Sequence, residues 1–154
     1  MSLAKAGRAV LLAAALLAAV YGMARADLYL RSRSAYLEGE KWMEWSRKPE
    51  LKKAHFDSEL AARERELSLE LAKGRIDRPA YERKVELARF ERDQAVAESS
   101  IKYAYVWYQT AAELFSPPEN RWSVLARARM PETRALWKRE LDARKIPHQD
   151  YMLE

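Results

Sequence analysis

Apolar positions along this chain fall into one long block followed by several periodic stripes. The block runs from Ala9 to Ala24 (AVLLAAALLAAVYGMA) and contains no charge. Its 16 residues lie just under the lower limit of about 17 for a bilayer-spanning helix. Secretory apolar regions are shorter, about 7–15 residues. Lys5 and Arg8 precede the block, and Ala24-Arg25-Ala26 follows it with the small–x–small pattern of a leader cleavage site. Residues 1–26 therefore read as a signal peptide or a membrane anchor. Either one places the protein in a bacterial cell envelope, exported to the periplasm or anchored in the inner membrane through residues 9–24. Arg25, Arg31 and Arg33 balance Lys5 and Arg8 across the block, so the charge rule sets no orientation.

Beyond the block the period is helical. Residues 27–48 form a helical connector with Leu30, Tyr36, Leu37, Trp42, Met43 and Trp45 as its apolar surface, bounded by Pro49. In residues 50–73, Phe56, Leu60, Leu67 and Leu71 share one stripe at 100° per residue. Gly74 is placed as a left-handed cap, and Asp77 as the N-cap of a helix predicted from about Arg78 to Phe115. The short connection makes the two helices antiparallel neighbours, a hairpin over residues 49–115. Tyr81, Val85, Ala88 and Ala95 supply the matching stripe. Arg92 interrupts it, so the seam should open there or the arginine should snorkel.

From Ile101 the pattern becomes apolar on two sides, with Tyr103 and Val106 on one and Ile101, Tyr105, Tyr108 and Phe115 on the other. The remaining helices are expected to cover one of these sides. Ser116 and Glu119 have capping-box spacing, with Pro117 in the first turn, which starts another helix; Met130-Pro131 predicts a second break. A last helix carries Leu136, Trp137 and Leu141, and Ile146-Pro147 leaves a tail. Residues 116–154 are thus short C-terminal helices and a tail. No segment alternates as a strand does, and the expected fold class is all-α.

The segment LELAKGRIDRPAYERKVEL resembles the SHOCT motif, a short hairpin module of many bacterial proteins. Leu71, Gly74, Ile76, Tyr81, Lys84 and Leu87 match it, and Pro79 stands where an acidic or polar residue is usual. The resemblance covers about residues 67–87. It implies a helix–turn–helix with potential for oligomerisation or interaction, and it implies no catalytic residue.

Charge and composition narrow the function classes. The 28 basic and 23 acidic side chains give a net charge of +5. Lys5, Arg8 and Arg25 lie within residues 1–26, which hold no acid, so the rest carries 25 minus 23, or +2. Elsewhere arginine and glutamate alternate as on solvated helix faces, unlike the one-sided cluster of a nucleic-acid binder, so no nucleic-acid partner is expected. The absence of cysteine excludes disulfides and thiolate chemistry. His55 and Glu59 lie one turn apart but are too few for a zinc site, and they read as a surface ion pair. His148 and Asp150 fall in the tail with no nucleophile in a recognisable turn, and the tail reads as docking through Tyr151, Met152 and Leu153. Carboxylate pairs sit among arginines on polar faces and lack the burial that separates acid from base. No catalytic residue, metal site or cofactor is nominated.

The remaining enrichment is aromatic: Tyr103, Tyr105, Trp107, Tyr108, Trp122 and Trp137 fall within 35 residues. Such rings fill the core of a small helical domain, and they also build protein-contact surfaces. The functional expectation is a non-enzymatic envelope protein: an accessory or assembly subunit, or an adaptor, whose partners are other envelope or membrane proteins or a second copy. The alternative is an exported small-ligand or lipid-binding protein with a pocket of Tyr105, Trp107, Trp122 and Trp137.

Overall fold

The structure, a computed structural model, describes residues 3–149. Every element among the described residues is helical: α1 (Leu3–Arg47), α2 (Pro49–Ala72), α3 (Arg78–Ala97), α4 (Ser100–Gln109) continuing into a π-helical turn (Thr110–Leu114), and α5 (Arg121–Ala143). The all-α expectation is met. The chain divides into two compact units, one made by the described residues up to Glu40 and from Lys102 onward, the other by Lys41–Ile101.

The apolar block and the connector form a single helix. From Leu11 to Ala26 its side chains are exposed. Leu11, Leu12 and Leu17 are each at least 71% exposed and lie on no other element. This helix is long and apolar enough to cross a membrane, a test that a signal sequence also meets. Further along, Ser32, Ala35 and Gly39 are buried at helical spacing.

In the first unit that face meets Ala111 through Ser32 and Tyr108 at Gly39, and Ala104, Ala112 and the α5 residues Ser123, Ala126 and Thr133 are buried as well. Small side chains let backbones approach closely, so this core contains little bulk apart from Tyr105 and Tyr108. The last carbonyls of a helix lack intrahelical donors, and near this C-terminal turn two carbonyls are met by side chains. Ser32 Oγ donates to Ala111 O at 3.2 Å and the Arg127 guanidinium to Ala112 O at 3.3 Å. The two-sided apolar pattern after Ile101 is covered on the Tyr105–Tyr108 side; Val106 and Leu114 on the other remain exposed.

In the second unit α2 and α3 form the antiparallel hairpin. Pro49 opens α2 as its first residue. Gly74 adopts φ +67°, and its N–H and that of Arg75 close on the carbonyls of Leu71 and Glu70 in a Schellman motif. Asp77 caps α3 by accepting from the Ala80 N–H at 2.8 Å. Ion pairs at Arg92–Asp57, Arg89–Glu64 and Lys84–Glu70 step down the two arms in antiparallel register. At Arg92 the seam does open, into a cavity of about 220 Å3 bounded in part by Phe56, Leu60, Ala88 and Ala95.

Three boundaries differ from the sequence expectation. The second arm ends at Ala97 rather than near Phe115, because Glu98 turns to ψ 152° and α4 starts afresh at Ser100. The buried Lys52 holds that end, its Nζ donating to Val96 O at 3.1 Å and Glu98 O at 2.6 Å. The capping box is Asn120–Ser123, not Ser116–Glu119. Pro117 and Pro118 force the residues before them out of the helical region, so α5 forms only after both. Pro131 does not break α5 but lies inside it. Packing of Ala126 and Thr133, on either side of the proline, holds the helix together against a cost of about 3 kcal/mol.

Candidate functional site

A cluster of aromatic and charged side chains occupies the core of the first unit. Tyr108, fully buried, donates its hydroxyl to Glu40 Oε1 at 2.8 Å, and Arg129 Nε donates to the same oxygen at 3.1 Å. Gly39, next to Glu40, makes room: a Cβ there would lie 2.6 Å from Tyr108 Cε1. Burial, then the hydrogen bond to the Glu40 carboxylate, pushes the Tyr108 hydroxyl far above the ordinary tyrosine range. Burial likewise raises Tyr36, opposed by a hydrogen bond with Arg129. Both hydroxyls thus stay protonated at neutral pH, and Tyr108 serves as a fixed donor to Glu40.

Trp122 closes the cluster. Its ring centroid lies 5.6 Å from that of Tyr36 and 6.5 Å from that of Tyr29. The guanidinium groups of Arg33 and Arg121 stand 5.8 Å and 5.5 Å from its ring. Its buried indole N–H has no hydrogen-bond partner among the described residues.

The six aromatic residues singled out in the sequence are therefore divided. Tyr108 and Trp122 join the Tyr36 cluster. Tyr105 is buried and packs at a tilt against Trp137, with ring centroids 5.8 Å apart. Tyr103 and Trp107 are half-buried. Within one copy, Tyr105 and Tyr108 offer almost no surface to a partner. Among the described residues, the cavity that Tyr105 lines is bounded by α5 side chains around Pro131 and not by Trp107, Trp122 or Trp137, so this cavity does not join the four.

Sequence reasoning missed Glu40 and Arg129, which look like ordinary surface charges in a chain rich in both. It also missed the second unit's ring cluster, in which Trp45 packs against Trp42, His55 and Phe56 with centroids 4.8–5.8 Å apart. His55 Nε2 lies 3.3 Å from Glu59 Oε1. Among the described residues no group of three or more acidic or histidine side chains is arranged to hold a metal. His148 faces Asp142 at 3.7 Å; Asp150, Tyr151, Met152 and Leu153 lie outside the described residues.

Comparison with protein-family models, with characterised proteins and with solved structures found no match to this chain.

Proposed function

We propose that this is a non-enzymatic envelope protein, held at a membrane by the N-terminal part of α1 and acting as an accessory or assembly subunit, or an adaptor, through its helical surfaces. The observation that carries the proposal is the free apolar length of α1. Leu11, Leu12, Leu16 and Leu17 are 66–72% exposed, on a helix that runs unbroken into a packed core. Leaving such a surface in water is unfavourable by about 25 cal/mol per Å2, and a bilayer removes that cost. At the end of the stretch the Arg25 guanidinium donates to the Tyr21 hydroxyl at 3.2 Å, the kind of aromatic–basic pairing that anchors helices at the interface.

The hairpin supplies the adaptor surface. Leu69, Leu87 and Phe90 are each more than half exposed, while Leu67 and Val85 are the buried apolar residues of α2 and α3. Two helices alone bury little of their stripes, and a further layer completes such a core. The SHOCT-like pattern over residues 67–87 favours the same use, self-association included.

Alkaline extraction of native membranes, intact-mass measurement and crosslinking test the proposal together. The expected result is a chain that resists extraction, keeps residues 1–26 and crosslinks to a partner or to itself through the hairpin. A monodisperse monomer with turnover activity overturns it.

A further inference from the structure

We propose that the connection between α4 and α5 is a second membrane contact, with Leu114 and Pro117 immersed in the headgroup layer beside the point where α1 leaves the bilayer. Among the described residues outside α1, Leu114 is the most exposed large apolar side chain, at 70%. It is as bare as Leu11 and Leu17 of the apolar stretch, each at 71%. Pro117 is exposed as well. The inference rests on the membrane reading above.

Contacts within the first unit fix the height of this connection. α4 runs back along α1, since Tyr108 meets Gly39 and Glu40 while Ala111, further on, meets Ser32. α5 then sets out from the same end, with Trp122 against Tyr29 and Arg129 at Glu40. A cavity of about 210 Å3 separates the connection from α1, lined by Arg25, Ala26 and Tyr29 on one side and by Pro118 and Asn120 on the other. Tyr29 is five residues past Ala24, where the uncharged block ends, or about 7.5 Å along a helix. A headgroup layer is about 5–8 Å deep. The bilayer that takes up the apolar stretch of α1 therefore reaches the connection, which makes a lipid surface, rather than a second copy, the occupant. Tyr29, 42% exposed, and Trp122 stand at the same level, where aromatic rings are favoured. Carboxylates at this end are engaged: Asp27 by Arg31, Glu113 by Gln109 and Glu119 by Arg127. Two side chains bury too little apolar area to hold the chain alone. α1 supplies the anchor, and the connection fixes the tilt and rotation of the first unit on the surface.

The chain has no cysteine, so each single-cysteine variant of the full chain carries one bimane probe. Leu17→Cys reports on the anchor, and Leu114→Cys and Pro117→Cys on the connection. Ala143→Cys, exposed at the far end of α5, is the control in water. The variants are reconstituted into phosphatidylethanolamine–phosphatidylglycerol vesicles that carry a nitroxide either on the lipid headgroup or deep in the acyl chain. Circular dichroism confirms that each variant is folded. Leu114→Cys and Pro117→Cys should be quenched about twofold or more by the headgroup nitroxide, and less by the deep one. Leu17→Cys should show the reverse order. Ala143→Cys should respond to neither, and only to iodide present on both sides of the bilayer.

Iodide quenching at Leu114 equal to that at Ala143, without nitroxide quenching, overturns the proposal. Shielding of Leu114 from iodide and from both nitroxides identifies a second copy on this face and overturns the lipid assignment too. Quenching of the Leu17 probe by the deep nitroxide, with no nitroxide effect at Leu114 or Pro117, defeats the second contact and leaves the anchor standing. A Leu17 probe that no nitroxide reaches defeats the anchor, and the second contact falls with it.

Discussion

Single residues decide the core of the first unit by what they leave out. At Gly39, alanine would gain helix propensity worth up to about 1 kcal/mol. Its Cβ, however, would meet the Tyr108 ring at 2.6 Å, and that ring is boxed in and tied to Glu40 through its hydroxyl. Gly39→Ala is therefore expected to destabilise by about 1–3 kcal/mol in urea unfolding, with part of the loss recovered when Tyr108→Leu is added. Tyr108→Phe removes a hydrogen bond to a charged acceptor and should cost about 1.5–3 kcal/mol at neutral pH. Its pH dependence has a definite sign. The folded state holds the Tyr108 hydroxyl neutral above the ordinary tyrosine range, so its contribution is complete below the unfolded-state value and lost as pH rises beyond it. Stability profiles of wild type and Tyr108→Phe should converge above about pH 10. Glycine in a helix gave no sequence signal of this partner, because the partner is 69 positions away.

Elements were readable where the signal is local. Gly74 and Asp77 each act through bonds to residues within a few positions, and both stand where the spacing placed them. The opening at Arg92 followed from a charged residue in an apolar stripe. Pro131 was read as a break because its intrinsic cost favours one; burial of Ala126 and Thr133 overrules it. Pro131→Ala restores an N–H facing the Arg127 carbonyl and should raise stability by up to about 3 kcal/mol, measured by thermal unfolding. At Ala97 the reverse happened: a stripe that continues across a helix end hid the start that Ser99 and Ser100 mark. That end depends on Lys52, whose Nζ reaches Val96 O and Glu98 O. Lys52→Met leaves those carbonyls without their donor and should cost about 1.5–3 kcal/mol, with hydrogen exchange accelerating first at the C-terminal turn of α3.

For the whole molecule, the exposed stretch of α1 makes a further prediction. Residues 11–26 have exposed side chains, so a chain starting at Asp27 should lose only the helical circular dichroism of the deleted part of α1. Its urea-unfolding free energy should stay within about 0.5 kcal/mol, while it no longer associates with membranes. A larger loss would show that this stretch packs on the core. Periodicity, breakers and composition by themselves determined an all-helical chain with an apolar N-terminal block, a hairpin turning at Gly74 and no thiol chemistry, because each of these follows from neighbouring side chains and the geometry of a helix. Only the tertiary structure decided that Glu40, Tyr108 and Arg129 meet, that Tyr105 and Tyr108 are core, and that α5 runs through its proline. Those outcomes depend on which distant faces come into contact, and burial and close packing set that choice with energies that no local pattern of residues encodes.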